Sequence, residues 1–142
     1  MGANAYEQGK YDLSTEYHSK AIIANPKNEL GYLSRGKSLS RMGSYGAARK
    51  DFLKTMQLNS NRIEAFYLIG NTFFHEEKFK EAIGFYEQYL SIDRGYKNVW
   101  YNAAMAYLQE DNKERACMCL DNAKRLGMVE AQQQIEKQCD NQ

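Results

Sequence analysis

The feature that most constrains this chain is an internal repeat with a period of 34 residues. When the sequence is shifted by that length, residues of similar size and chemistry fall into the same column without a gap. Two columns hold small residues and three hold mostly aromatic ones: Gly2, Gly36, Gly70 and Ala104; Ser14, Ala48, Ala82 and Ala116; Tyr11, Tyr45, Phe79 and Lys113; His18, Phe52, Tyr86 and Leu120; Tyr32, Phe66 and Trp100. Such a period predicts a chain of small supersecondary units, each packed on its sequence neighbours.

Inside each repeat, apolar residues recur at spacings of three and four, the period of an amphipathic helix. In the third repeat Phe66, Ile69 and Phe73 share one helix face, and Ala82 and Tyr86 share a face of the helix that follows. A polar break separates the two, so each repeat is predicted to be a helix, a short turn and a second helix. The predicted helices cover residues 2–8, 12–24, 30–42, 46–58, 63–76, 80–92, 97–110, 114–126 and a mostly polar tail from 129.

The turns inside the first two helix pairs contain Gly9 and Gly43. Glu77 and Asp111 occupy the same column in the later repeats, so those turns form without glycine. Pro26 follows the first pair, where a helix has to stop.

This pattern resembles the tetratricopeptide-repeat (TPR) family, whose signature is W-x2-L-G-x2-Y, then A-x3-F, then P. The matching segments are Phe66-x2-Ile69-Gly70-x2-Phe73 with Ala82-x3-Tyr86, and Trp100-x2-Ala103-Ala104-x2-Tyr107 with Ala116-x3-Leu120. The second repeat departs from the signature at Arg35, which stands in the usual leucine column.

The resemblance implies an all-α fold, a right-handed superhelical solenoid of helix-turn-helix repeats with a C-terminal capping helix. We predict a single domain over residues 1–142. Its segments are a partial repeat at 1–27, full repeats at 28–60, 61–94 and 95–128, and a capping helix at 129–142.

The resemblance also implies a function in protein binding, without a cofactor, in a concave groove lined by the first helix of each pair. In the family's register the predicted partner-binding residues are Lys37, Arg41, Tyr67, Asn71, Phe74, Tyr101, Asn102 and Met105. The aromatic side chains and the methionine suit an apolar anchor of a partner, and the two basic groups suit an acidic group beside it.

One subclass of the family binds the C-terminal carboxylate of heat-shock chaperones through lysine, asparagine and arginine side chains. The four visible columns of that clamp hold Ala3, Ser34, Glu64 and Leu68 here, and one of them is reversed in charge. Binding of chaperone tails in that mode is therefore disfavoured.

No pattern that would support an enzyme or a metal site is found. His18 and His75 are far apart in sequence, and His18 falls in a packing column. Cys117 and Cys119 point to opposite sides of a helix, and the usual second ligand pair of a zinc site is missing. Cys119 and Cys139 are predicted to be free thiols or small apolar fillers.

Charge and hydropathy argue against two further classes of protein. The net charge is only +1, which argues against a nucleic-acid binder, and no apolar run is long enough to span a membrane. Three cysteines make a poor disulfide framework, which favours the cytoplasm.

Three functions are compatible with these patterns: an adaptor or scaffold, a dedicated chaperone of the type III secretion kind, and a TPR domain of a larger protein. The short first helix also predicts self-association through the N-terminal edge, because Tyr11 and Tyr17 would lack full cover.

Overall fold

The computed structural model describes residues 1–140, and over that range it contains helices and turns but no strand. The helices are α1 (Gly2–Glu7), α2 (Tyr11–Ala24), α3 (Glu29–Arg41), α4 (Tyr45–Leu58), α5 (Glu64–His75), α6 (Phe79–Leu90), α7 (Lys97–Gln109), α8 (Lys113–Arg125) and α9 (Val129–Gln138). The predicted all-α class is confirmed, and the first eight helices end within two residues of their predicted bounds. The predicted capping helix was too long: α9 ends at Gln138, and residues 141 and 142 lie outside the described range.

The chain divides into two compact units, Met1–Thr72 and the residues from Phe73 onward. In the first unit α1 packs on α2, α2 on α3, and α3 on α4. In the second unit α6 packs on α7, α7 on α8, and α8 on α9. Helices adjacent in sequence are thus adjacent in space, as a repeat fold requires. The single-domain organisation stays a prediction.

The sequence columns become the core of each unit. The small column, Ser14, Ala48, Ala82 and Ala116, is fully buried. Large side chains of another column, Phe52, Tyr86 and Leu120, are also at 0% exposure. A small residue at a close helix contact leaves room for the large neighbour beside it, which is how such columns reach the packing density of a protein interior.

Arg35 in the usual leucine column has a structural explanation. Its guanidinium donates two hydrogen bonds of 2.7 Å to the carboxylate of Asp51, which is almost fully buried. Arg35 Nη1 also donates to the hydroxyl of Ser19 at 3.3 Å. The hydrogen bonds to Asp51 hold the pKa of Arg35 above its usual value. Removing either residue would leave the other charge without its counterpart. The two residues therefore act together in place of the apolar contact that leucine usually makes in this column.

The turn column behaves alike in all four helix pairs. Gly9 and Gly43 adopt φ of +75° and +81°, and Glu77 and Asp111 adopt φ of 60° and 57°. The left-handed backbone at this column therefore does not depend on glycine. The conformation does cost a residue with a side chain more free energy than it costs glycine.

One prediction about the cysteines is wrong. Cys117 of α8 and Cys139, which follows α9, form a disulfide, and only Cys119 is a free thiol. The prediction failed because α9 folds back onto α8, and the spacing of the cysteines in the sequence does not indicate that these two helices pack together.

Candidate functional site

The clearest part of the predicted site is one face of α7. Tyr101, Asn102 and Met105 are half-buried. The rest of the helix faces the core with six buried side chains: Val99, Trp100, Ala103, Ala104, Ala106 and Tyr107. At about 100° per residue, the three predicted residues lie on the side of the helix opposite Trp100, Ala103 and Tyr107. An aromatic ring and a thioether are thus left partly open to solvent on one surface.

Phe74 also belongs to the second unit but has a different environment. Its ring makes an edge-on contact with Phe79, with 5.2 Å between ring centroids. Because Phe79 begins α6, this contact packs the turn between α5 and α6. Phe74 is therefore partly a structural residue, and its neighbour His75 is the more exposed of the two.

In the first unit, Lys37 lies beside an acidic residue. Its Nζ is 3.6 Å from Oε2 of Glu64, and both side chains are partly exposed. Lys37 also borders a cleft of about 190 Å³ between α1, α2 and α3, together with Tyr6, Ser14 and His18. Burial, and then the charge of the N-terminus, lowers the pKa of His18. His18 is thus neutral near pH 7, and Lys37 supplies the positive charge at this cleft.

Arg41, one turn further along α3, contacts an aromatic pair. Its Nε donates to the hydroxyl of Tyr11 at 3.2 Å, and its guanidinium carbon is 5.4 Å from the centre of that ring. Tyr11 in turn meets Tyr6 edge-on. The hydrogen bond to Tyr11 raises the pKa of Arg41. The side chain is exposed, so it is positioned by Tyr11 and still open to a ligand.

Tyr67 and Asn71 complete the first unit's share of the site. They are one turn apart on α5 and half-buried. The eight predicted residues therefore form two groups of four, Lys37, Arg41, Tyr67 and Asn71 in the first unit and Phe74, Tyr101, Asn102 and Met105 in the second. Tyr11 was not predicted as the partner of Arg41, because the contact joins residues of different repeats.

Within residues 1–140, no group of three or more His, Cys, Asp or Glu side chains is placed to hold a metal ion. No helix in this part of the chain is long and apolar enough to cross a membrane.

Comparison with known proteins gives matches in sequence and in structure. The profile of the family described as "Tetratricopeptide repeat" matches residues 63–96 and 98–126. Human serine/threonine-protein phosphatase 5 is 30% identical over 78% of this chain and 21% of its own length. Human RNA polymerase II-associated protein 3 is 27% identical over 65% of this chain and 14% of its own length. The chain thus spans about a fifth or less of these two relatives.

Two solved structures illustrate the fold. MamA (residue 41 to the end) from Desulfovibrio magneticus RS-1 aligns with a TM-score of 0.87 at 17% identity, covering 96% of this chain and 78% of MamA. The first TPR of Spaghetti (RPAP3), bound to the HSP90 peptide SRMEEVD, aligns with a TM-score of 0.72 at 23% identity, covering 78% and 89%. At such identities the likeness concerns the fold alone.

Proposed function

This chain belongs to the tetratricopeptide-repeat family, and from that premise we propose that it is a protein-interaction scaffold. It binds a peptide or protein segment through the first helix of a repeat, with candidate contacts on α3 in the first unit and on α7 in the second. The observation that carries the proposal is the half-buried face of α7 with Tyr101 and Met105. Large aromatic and thioether side chains at a surface are typical anchors for a partner, and here the opposite side of the same helix already supplies the core contacts.

The first unit favours an acidic ligand. Arg41 is exposed and held in place by Tyr11, so it suits a carboxylate of the partner. Lys37 already has Glu64 beside it, and an acidic ligand would compete with that carboxylate. We therefore expect Arg41 to contribute more than Lys37 to recognition of an acidic group.

The HSP90 peptide seen with the Spaghetti (RPAP3) TPR is not the partner that we propose. The columns of the carboxylate clamp hold Ala3, Ser34, Glu64 and Leu68 in this chain. Glu64 would place a negative charge where the clamp needs a positive one. The proposed partner instead offers an apolar anchor to the face of α7 in the second unit. The ligand that suits Arg41 in the first unit is an acidic group.

We further propose that the chain has no enzymatic activity of its own and is cytoplasmic. The repeat fold supports the first point, because the family's helix pairs serve binding. For the second, the free thiol of Cys119 counts in favour and the Cys117–Cys139 disulfide counts against, since disulfides form mainly in oxidising compartments. Alkylation of free thiols in intact cells decides the matter: a cytoplasmic protein exposes Cys117 and Cys139 as a dithiol.

The test of the scaffold proposal is a binding titration against the partner captured with the intact protein. Tyr101→Ala with Met105→Ala should weaken binding by about tenfold or more, because truncated anchors leave the partner's apolar group without cover. Lys37→Gln with Arg41→Gln should weaken binding mainly at low salt, since exposed charges are screened.

Lys54→Gln is the matched control, a half-buried lysine on the second helix of the same repeat as Lys37. Circular dichroism checks that all variants keep their helices. If the Lys54 variant loses binding while both groups of first-helix variants keep it, the proposed surface is wrong.

A further inference from the structure

A second cleft lies in the second unit, between α6, α7 and α8. It has a volume of about 370 Å³, and its floor is formed by Leu90, Trp100 and Ala103. Two arginines, Arg94 and Arg115, stand at its edge. We propose that this cleft is a second binding site, which takes an acidic peptide segment with a large apolar side chain next to an aspartate or glutamate.

The cleft is separate from the surface described above. Trp100, Ala103 and Tyr107 line it, and they lie within an arc of about 60° on α7. Tyr101 and Met105 lie on the opposite side of the same helix. A ligand in this cleft and a partner on the half-buried face of α7 would therefore contact different sides of one helix, and both could be bound at once.

Arg94 is positioned at the edge of the cleft by Trp100. The indole Nε1 donates to the backbone carbonyl of Arg94 at 2.8 Å, and the guanidinium carbon of Arg94 is 5.2 Å from the centre of the indole ring. The backbone bond fixes the residue, and the ring holds the guanidinium over the cleft. The Arg94 side chain is exposed, so its guanidinium is accessible to a carboxylate, which can accept two of its N–H groups.

The charges at the cleft favour an anion. Among residues 1–140, no carboxylate lies within 4.0 Å of a nitrogen of the Arg94 or Arg115 side chain. The acidic residue that borders the cleft, Glu87, already accepts a hydrogen bond from the hydroxyl of Tyr107. Burial raises the pKa of Cys119 to about 11, so this thiol adds no negative charge near pH 7. Two arginines thus border the cleft together with one carboxylate, which accepts a hydrogen bond from Tyr107, and the positive charge is in excess.

The size and floor of the cleft specify the rest of the ligand. Leu90, Trp100 and Ala103 are buried and apolar, and Met118 at the mouth is 47% exposed. The volume of about 370 Å³ lies near the lower end of the range for ligand pockets. It suits one large side chain and its neighbour rather than a cofactor. Leucine or phenylalanine followed by an acidic residue meets both requirements.

The experiment uses the full chain and two fluorescein-labelled peptides, Gly-Leu-Asp-Glu and Gly-Leu-Lys-Lys, both amidated. Fluorescence anisotropy should show saturable binding of the acidic peptide and none of the basic one. Trp100 is the single tryptophan of the sequence, so the unlabelled acidic peptide should also change the protein's tryptophan emission with the same midpoint. The absence of saturable binding up to about 1 mM acidic peptide overturns the proposal.

Four variants locate the site. Arg94→Gln and Arg115→Gln should each weaken binding of the acidic peptide several-fold, and together by about tenfold or more, because each removes a charge-assisted contact. Lys97→Gln, an exposed lysine at the start of α7, is the matched control and should bind as the unmodified protein does. Equal binding by the double arginine variant and the control overturns the proposal.

The test is independent of the scaffold function. Tyr101→Ala with Met105→Ala should leave binding of the acidic peptide unchanged, whereas it weakens binding of the captured partner. If that variant loses the acidic peptide and the arginine variants keep it, the peptide binds the other face of α7 and the second site is absent.

Discussion

At the scale of single residues, the glycines show which positions are restricted by close packing. A Cβ built on Gly36 would lie 2.6 Å from Cε1 of Phe52, a ring with no exposed surface. A Cβ on Gly84, in the middle of α6, would meet nothing within 4 Å. The same residue type therefore has opposite roles at two helical positions.

We expect Gly36→Ala to lower the free energy of unfolding by about 1–3 kcal/mol, because the buried ring of Phe52 has no space into which to move. Gly84→Ala should raise the free energy of unfolding by up to about 1 kcal/mol, since alanine loses less backbone entropy in a helix. Urea denaturation followed by circular dichroism measures both. A Gly36→Ala variant as stable as the unmodified protein would mean that α3 and α4 do not pack in the described register.

At the scale of helices, the C-terminal pair is held by both apolar contacts and a covalent bond. Ala131 and Ile135 are the buried residues of the otherwise polar α9. The Cys117–Cys139 disulfide joins α8 to the end of α9 across a sequence separation of 22 residues. With only two buried residues on α9, we expect the disulfide to contribute to holding this helix on α8.

Reduction of this disulfide should lower the free energy of unfolding by about 2–4 kcal/mol, because the closed loop restricts the unfolded chain. The measurement is urea denaturation with and without dithiothreitol. Cys139→Ser is the control and should show no response to the reductant. Rapid alkylation of Cys139 in the folded, oxidised protein would contradict the pairing itself.

At the scale of the whole molecule, self-association stays a prediction, and we expect it at an exposed apolar patch on the first two helices. Met1, Leu13 and Tyr17 border an apolar cleft of about 190 Å³ on α1 and α2. Leu13 is 53% exposed and Tyr17 is 40% exposed. Tyr11, in contrast, is covered by Arg41 and Tyr6. The apolar patch that could meet a second copy is therefore formed by Met1, Leu13 and Tyr17.

We expect the protein to associate weakly through this patch, with an association constant that falls by about tenfold in Leu13→Lys, since a charge placed in an apolar contact has to be desolvated. Sedimentation equilibrium measures the constant. Leu53→Lys is a close match as control, because Leu53 on α4 is 54% exposed. A protein that stays strictly monomeric at every concentration, or a Leu53 variant affected as strongly as the Leu13 variant, would show that this patch is not an interface.

The sequence by itself determined the helices, their order and the core. This was possible because the information is local or recurs at one period: spacings of three and four specify the buried face of each helix, and columns such as Ala48, Ala82 and Ala116 specify close contacts. The half-buried face of α7 with Tyr101 and Met105 follows from the same periodicity.

Only the tertiary structure decided the contacts that join residues of different repeats without a shared column. The disulfide depends on how α9 returns to α8, and the bond from Arg41 to Tyr11 joins two helices of different repeats. The Arg35–Asp51 pair, which lies within one repeat, and the cleft lined by Trp100 also depend on side-chain positions. All of these contacts are set by distances between side chains in space, which a periodic pattern does not encode.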